Sequence, residues 1–379
     1  MPLATGGRKL PGLYDGRVGA MVARVRTRLA VTLALLTFVL PACSRLGLLP
    51  SSLPPAGREP LEGFGAETTG GAGGRVITIG EPTEDAVRAA FADAAASGNA
   101  IIRFAVTTPI RIEKKLPILG RPHLTIEGGG ATLDGSAMKE GSAIVDIRTN
   151  DVIVRDLRLR NGDDNLRVDG PEAYRVVVTH VSSTGARDDG ISIGYGAHDV
   201  TVQYSLVAGA TRGIYCKYAG TDNISLHHDW LMKNAIRSPI ISGTIVADVR
   251  NVIVEDWGEW GSRFEDGATG NVVGALFALS PHARSIGGKP HAALRLKGAG
   301  PVHLSENAVR GVVEPLVGGS AQAPIPAPKV TTLPVGAMEK VVRARAGCLP
   351  RDGVDAAYVK ATSGWTVSET EPLRLGAGK

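Results

Sequence analysis

Short runs of β-branched and other apolar residues recur along the chain at nearly constant spacing. Each run covers four residues and is flanked by Gly, Asp or Asn, which are typical of turns. The first residues of successive runs are 28, 24, 24, 24 and 28 positions apart. The six runs are His123–Ile126, Asp151–Val154, Arg175–Val178, Asp199–Val202, Asn223–Leu226 and Asn251–Val254. Such a period predicts a repeat architecture in which each unit buries its apolar side against the next.

The segments between these runs decide which repeat architecture is expected. They contain no amphipathic segment of helical length, which disfavours βαβ units and leucine-rich repeats. Aromatic residues make up only 4% of the chain, as expected for a narrow interior filled by stacked aliphatic side chains. The sequence therefore predicts an all-β fold, a parallel β-helix (solenoid) whose coils stack strand upon strand.

Helical patterns flank the repeat region. Thr83–Ser97 has Thr at the N-cap position, acidic residues in the first turn and an apolar stripe, and Gly98 follows it. We expect a capping helix at the N-terminal end of the solenoid. The chain becomes Pro-rich from about Ala321, and an amphipathic run near Val335–Ala346 predicts a segment that folds back along the outside.

An export signal is predicted at the N-terminus. Three arginines precede the apolar run Leu29–Leu40, which is too short to span a bilayer comfortably. The run ends in a sequence that resembles a bacterial lipoprotein cleavage box, with Cys43 as the lipidated residue. An ordinary signal peptide with an incidental Cys43 is the alternative. We expect a signal peptide at 1–42, a tether at 43–62, and a protein that is secreted or held at the cell envelope, on the outer membrane or cell surface.

The net charge of +5 does not indicate a nucleic-acid partner. Residues 1–42 hold six basic residues and one acidic residue, so the remainder of the chain is neutral overall. We expect a monomer. Beyond Cys43, the chain has only Cys216 and Cys348, which are either a disulfide or two separate buried thiols.

Four motifs resemble those of the pectate lyase family, a family of secreted polysaccharide lyases. They are an opening Gly-rich motif, a strand that ends in His, an Arg-x-Pro segment after a His-His strand, and a C-terminal motif. In chain order they are Gly63–Gly74, Val177–His180, Arg237–Pro239 and Ala346–Asp352. The resemblance covers about 63–357. It implies a single-stranded right-handed parallel β-helix, which we assign to 63–360, with a tail at 361–379.

The resemblance implies cleavage of a polyuronate such as pectate by β-elimination, with calcium as cofactor and an acidic polysaccharide as partner. In this family acidic residues on adjacent coils hold calcium, and the match puts Asp164 and Asp188 at two of these positions. Asp163 and Asp189 are adjacent and would assist, whereas Ser192 replaces a third acidic residue. Independently, Ca²⁺ takes six to eight oxygen ligands, of which stacked carboxylates would supply part. The alternative is that these aspartates only stabilise turns.

By the same resemblance, Arg237 is the catalytic base. Arginine has a reference pKa above about 12, so the residue type alone does not predict a base. Bidentate binding of a substrate carboxylate follows from the chemistry of the guanidinium group alone. A surface arginine in a salt bridge is the alternative.

Three further residues are predicted to bind substrate, namely Arg212, Lys217 and His228. Two positions depart from the family. Thr211 replaces a substrate-binding lysine, for which the adjacent Arg212 would substitute, and Ser242 replaces a second arginine five residues after Arg237.

Two other functions remain open from the sequence. The pair Asp188-Asp189 resembles the aspartates of β-helical polygalacturonases, which are hydrolases, but their other motifs are missing from the sequence. A non-catalytic surface β-helix that binds glycans is the third hypothesis, and the residues at 211 and 242 favour it.

Overall fold

The computed structural model describes residues 54–281, 283, 292–312, 314–319, 322–362 and 371–373. The predicted signal peptide, Cys43 and the first part of the predicted tether lie outside the described residues. Within these ranges, no helix has the length and apolar character needed to cross a membrane.

Short strands make up most of the described chain. The first third contains β1 (Arg75–Ile79), α1 (Glu84–Ser97), β2 (Ala100–Phe104), β3 (Ile110–Arg111), β4 (Leu116–Ile118), β5 (Leu124–Glu127), β6 (Thr132–Asp134), β7 (Ala143–Ile147), β8 (Val152–Arg155) and β9 (Arg158–Arg160). The middle contains β10 (Asp164–Asp169), β11 (Tyr174–Thr179), β12 (Ser182–Thr184), β13 (Asp189–Gly194), β14 (His198–Gln203), β15 (Leu206–Ala208), β16 (Arg212–Cys216), β17 (Asp222–His227), β18 (Trp230–Met232), β19 (Ile240–Ser242), β20 (Val246–Arg250), β21 (Ile253–Glu255) and β22 (Trp260–Glu265). The last part contains β23 (Thr269–Val273), β24 (Leu276–Ala278), β25 (Ala292–Lys297), β26 (Val302–Ser305), β27 (Ala308–Arg310), β28 (Glu314–Val317), α2 (Val335–Arg345), α3 (Gly353–Thr362) and β29 (Glu371–Pro372).

These strands form three parallel sheets, and each coil of the chain contributes one strand to each sheet. The first sheet has the order β1-β2-β5-β8-β11-β14-β17-β20-β23-β26. The second has the order β28-β25-β22-β19-β16-β13-β10-β7-β4, and the third β29-β27-β24-β21-β18-β15-β12-β9-β6-β3. Only β29 pairs antiparallel among these strands, with β27. The predicted parallel β-helix is confirmed.

Aliphatic side chains stack in register inside the coils. In the first sheet Val154 pairs with Val178, Val178 with Val202, and Val202 with Leu226. All four are fully buried in one continuous apolar core. Stacking like residues from coil to coil lets each unit bury the apolar face of the next, which an isolated coil could not do.

Five of the six predicted runs lie in the first sheet, and the last one does not. The run Asn251–Val254 falls in β21 of the third sheet, while Val246–Arg250 forms the next first-sheet strand. This coil has only 23 residues, since Ile224 pairs with Ala247, so a run that begins 28 residues after Asn223 lies beyond the first-sheet strand.

Single residues with left-handed backbone make the bends between sheets. From the first sheet to the third, the chain turns at Asp156, His180, Tyr204, His228 and Asn251, which have φ between 47° and 57°. Asp, Asn and His adopt this conformation more readily than most residues, which explains their recurrence at one position of the repeat.

Terminal segments cover the first and third sheets. Phe64 N–H donates to Ser225 Oγ at 3.0 Å on the first sheet, and α2 buries Met338 and Val342 against Leu276 and neighbouring third-sheet residues. The helix predicted over Thr83–Ser97 is α1, capped by Thr83, and it packs against β1, β2 and β4.

Two further expectations concern the ends and the cysteines. The described part of the predicted tether is packed, since the side chain of Glu59 is only 2% exposed and pairs with Arg345 at 2.7 Å. Cys216 and Cys348 are both buried and carry free thiols, so they form no disulfide with each other.

Candidate active site on the second sheet

The candidate site lies where the chain enters four neighbouring strands of the second sheet. The coil period brings Asp164 at the start of β10 next to Asp189 at the start of β13, whose N–H donates to Asp164 Oδ1 at 3.0 Å. Asp189 pairs in turn with Arg212 at the start of β16. Arg212 bridges to Ile236, so Arg237 follows on the next coil. The stacking of coils therefore brings Asp164, Asp189, Arg212 and Arg237 to neighbouring positions.

Three carboxylates form the acidic part of this site. Asp164, Asp188 and Asp189 each offer an oxygen, and these oxygens lie within 4.8 Å of one another. Asp189 is completely buried, and its Oδ1 has no hydrogen-bond partner in the described structure. Asp163 is not part of this group, because its carboxylate accepts from the Gly141 N–H and lies 3.8 Å from Arg187.

Each of the three carboxylates has a cationic neighbour. Arg167 Nη2 lies 2.6 Å from Asp164, and Lys217 Nζ lies 2.9 Å from Asp189. Arg212 pairs with Asp188 and lies 3.7 Å from Asp189 Oδ1. These three pairs balance one another in charge, and Arg237 adds a fourth positive charge next to them.

The close packing of these charged groups shifts their pKa values. Burial and then the negative charge of Asp164 raise the pKa of the Asp189 carboxyl to about 6. Lys217 and Arg237 oppose this shift but do not cancel it. Burial, and then the positive charge of Arg237, lower the pKa of Arg212. Arg237 therefore acts electrostatically on both neighbours.

Arg237 differs from the other arginines of the site because no described carboxylate pairs with it. Its guanidinium lies over the ring of Tyr215, with Cζ 4.2 Å from the ring centroid. Lys217 Nζ lies 4.3 Å from the same centroid. Tyr215 is not among the residues predicted above, although strand alternation signals it, since Ile214 and Cys216 point into the core and Tyr215 must point outward.

The column continues beyond Tyr215 to the other end of these strands. Lys217 Nζ lies 5.2 Å from the ring centroid of Tyr218, which stacks on Tyr195 with centroids 4.2 Å apart. We call Tyr195, Tyr218, Lys217, Tyr215 and Arg237 the aromatic–cation column. It extends from Arg237, just before β19, past Tyr215 of β16 to the residues that directly follow β16 and β13.

The structure does not bring His228 to this site. His228 is fully buried at the bend between β17 and β18, stacked on Tyr204 with centroids 4.6 Å apart. The prediction that it contacts substrate therefore does not fit this structure, because both His227 at the end of β17 and His228 at the bend are fully buried. His180 occupies the equivalent bend two coils earlier. Tyr204, in the coil between them, stacks on His180 as well as on His228.

The positions that depart from the family motifs lie around the site. Ser192 lies between Arg167 and Tyr215 in the strand register. Ser242 Oγ donates to Asp266 at 3.1 Å, and Thr211 is exposed beside Arg212. Arg212, beside Thr211, has its guanidinium on the acidic cluster.

The spacing of the acids also bears on the hydrolase alternative. Inverting glycosidases need two carboxyl groups about 6.5–9.5 Å apart, with a water between them. One oxygen from each of Asp164, Asp188 and Asp189 lies within 4.8 Å of the others, which is closer than this spacing and close enough for the three to share one cation.

Several curated proteins are similar to this chain in sequence. A protein named "Probable pectate lyase C" from Emericella nidulans is 31% identical over 234 residues, covering 58% of this chain and 52% of that protein. Its namesake from Aspergillus fumigatus is 30% identical over 241 residues, covering 58% and 53%. The chain thus spans about half the length of the curated relatives it matches. No family model matches it.

Solved structures with a similar fold are pectate lyases and a pollen protein. A pectate lyase from Bacillus sp. N165, solved with trigalacturonate, superimposes with a TM-score of 0.62 at 16% identity, covering 76% of this chain and 98% of that one. The major allergen from cedar pollen has a TM-score of 0.56 at 14% identity, covering 76% and 92%. By sequence the chain is a homologue of proteins named probable pectate lyase C, and by fold it is a parallel β-helix like that of the solved pectate lyases.

Proposed function

We propose that this protein is a polysaccharide lyase that cleaves a polyuronate such as pectate by β-elimination, with the help of calcium. The observation that carries the proposal is Arg237, whose guanidinium has no described acidic partner and lies beside a cluster of three carboxylates. A charged group held on an aromatic face keeps its hydrogen-bond donors available for a substrate. The names of the relatives and the shared fold agree with this function.

The reaction removes the C5 proton of a uronate, which is α to the carboxylate. The C5–H electron pair forms a C4=C5 double bond, the C4–O bond breaks, and the departing oxygen takes a proton. Arg212 and Lys217 are positioned to bind the uronate carboxylate, where they stabilise the negative charge that develops as the proton leaves. Arg237 would face C5, and its role as base rests on the family resemblance.

The acidic cluster fits a divalent cation. Asp189 Oδ1 is buried without a hydrogen-bond partner, and Asp164 and Asp188 place further oxygens nearby. Bound calcium would supply positive charge next to the substrate carboxylate. For Asp188 and Asp189 to act as ligands, Arg212 and Lys217 must leave them, which frees both cations for the substrate. The three carboxylates provide only part of the six to eight oxygens that Ca²⁺ takes.

An assay of residues 54–379 on polygalacturonate tests the proposal. Near-ultraviolet absorbance reports 4,5-unsaturated uronate ends, and a second assay reports reducing ends. We expect both to rise together with calcium and to fall with a chelator. Reducing ends without unsaturation would mean hydrolysis, and binding without either product would mean a glycan-binding role.

We also propose export, with a lipid anchor at Cys43, on the strength of the N-terminal sequence. Labelling of the full chain with a radioactive fatty acid in a bacterial host should mark the parent and not Cys43→Ala. An unlabelled parent in the culture medium would instead indicate an ordinary signal peptide.

A further inference from the structure

Tyr195 and Tyr218 form an exposed aromatic pair at the edge of the second sheet. Tyr195 is 54% exposed and Tyr218 46%, and they are the only aromatic residues among the large apolar side chains that the described structure exposes to this degree. Their rings stack at 28° with centroids 4.2 Å apart. Tyr218 covers one face of the Tyr195 ring, and Lys217 lies over the ring of Tyr218. The face of Tyr195 that points away from Tyr218 is therefore the one available to a ligand.

The backbone at both tyrosines is unfavourable for a bulky residue. Tyr195 has φ 54° and Tyr218 has φ 72°, whereas glycines such as Gly170, Gly243 and Gly298 occupy the equivalent position in other coils. An aromatic residue in the left-handed region is uncommon, and strain of this kind concentrates at functional sites. The bend itself does not require these two side chains, since glycines make it in neighbouring coils.

The pair is continuous with the candidate site. Lys217 Nζ lies 2.9 Å from Asp189 in the acidic cluster and 5.2 Å from the ring of Tyr218. A polysaccharide bound at the cluster therefore needs to extend by only a short distance to reach Tyr195. The flat, apolar face of a pyranose ring suits an open aromatic face, while its hydroxyls remain in water.

We propose that Tyr195, backed by Tyr218, is a stacking subsite for one sugar ring of the acidic polysaccharide bound at the acidic cluster. This inference rests on the proposed function for its ligand. It adds a contact with the sugar ring itself, whereas the cations of the site recognise carboxylates. Occupation of the subsite lengthens the stretch of polysaccharide that the protein holds.

Kinetics on polygalacturonate test the subsite. Tyr195→Ala should raise KM about three- to tenfold and change kcat less than about twofold, the range expected for one aromatic stacking contact. Tyr195→Phe keeps the ring and should behave like the parent. Tyr195→Gly suits the left-handed backbone and should raise KM as Tyr195→Ala does, without a lower melting temperature. Tyr174→Ala, which removes an aromatic ring stacked on His198 of the first sheet, is the matched control.

Calorimetric binding of polygalacturonate separates this inference from the lyase proposal. Weaker binding by Tyr195→Ala than by Tyr174→Ala supports the subsite even if no unsaturated product forms, in which case only the lyase proposal fails. Equal binding and equal KM for Tyr195→Ala and Tyr174→Ala would overturn the subsite alone. A parent that neither binds nor cleaves polygalacturonate would overturn both.

Discussion

The residue that distinguishes this site is Tyr215, because it holds a positive charge without neutralising it. Its ring lies under Arg237 and Lys217 at 4.2 Å and 4.3 Å. A carboxylate in that place would pair with the guanidinium and compete with the substrate carboxylate. An aromatic face attracts the cation more weakly and leaves its N–H donors free. We therefore regard Tyr215 as a positioning residue for Arg237.

Substitution of Tyr215 tests this role. Tyr215→Phe keeps the ring and should retain most of the activity on polygalacturonate. Tyr215→Leu removes the aromatic face, so kcat should fall about tenfold while the melting temperature stays close to that of the parent. Initial rates of unsaturated product and thermal melts measure both effects. Equal loss in the Phe and Leu variants would show that the ring face is not what positions Arg237.

Asp189 provides the most direct test of calcium binding. With calcium at 100 times its Kd, the parent should gain about 3 kcal/mol of stability, because the ion binds only the folded state. Asp189→Asn removes one of three clustered carboxylates and should abolish that gain. Asp163→Asn is the matched control, since Asp163 lies outside the cluster. A calcium-induced rise in melting temperature that is the same in all three proteins would place the ion elsewhere.

Among the elements, the end of β17 carries two buried histidines, and these predict that the protein loses stability in acid. Burial, and then the charge of Arg250, lower the pKa of His227 to about 4, and burial also lowers the pKa of His228. The unfolded chain takes up a proton near pH 6.5, before the folded one does. The neutral buried histidines therefore make their full contribution to the free energy of unfolding above that pH. This contribution is lost as the pH drops towards 4, and for His227 it amounts to about 3 kcal/mol.

Urea unfolding between pH 7 and pH 4 measures this slope. His227→Gln should reduce it, and the remainder belongs to His228, whereas His303→Gln, which alters a half-buried histidine of β26, is the control. A slope as steep in His227→Gln as in the parent would assign the acid sensitivity to other groups.

The strands differ in how far the sequence alone predicts them. First-sheet strands such as Tyr174–Thr179 are rich in valine, which makes their period visible. Third-sheet strands such as Ser182–Thr184 have three residues and no apolar pattern, so they remain hidden until the coils are stacked. The acids and Arg237 are predictable from spacing and motif, because coils of constant length bring them together. Tyr215 and the burial of His228 depend on side-chain direction, which the motif does not reveal.

At the scale of the whole molecule, the two ends of the described chain brace each other. Glu59 is buried between His180 Nε2 at 2.8 Å and Arg345 of α2 at 2.7 Å. Burial would raise the pKa of Glu59, but these partners hold it at about 2, so the carboxylate stays ionised. A segment predicted as a free tether therefore joins the solenoid to its C-terminal helix.

Removal of the Glu59 carboxylate should destabilise the folded protein. Glu59→Ala leaves two buried groups without their partner and should reduce the free energy of unfolding by about 3 kcal/mol. Glu81→Ala, at an exposed position, is the control and should have little effect. Denaturant midpoints compare the two. A Glu59→Ala protein as stable as the control would mean that the N-terminal segment does not brace the fold.

One arginine on one face of the solenoid is proposed to carry the reaction, and a single comparison tests this role. Unsaturated product from polygalacturonate should form at least about 100-fold more slowly with Arg237→Ala than with the parent, at unchanged melting temperature. Arg103→Ala, which removes an arginine of the first sheet paired with Glu127, should keep the parental rate. If Arg237→Ala forms this product as fast as Arg103→Ala, the second sheet does not carry the reaction and the account is wrong.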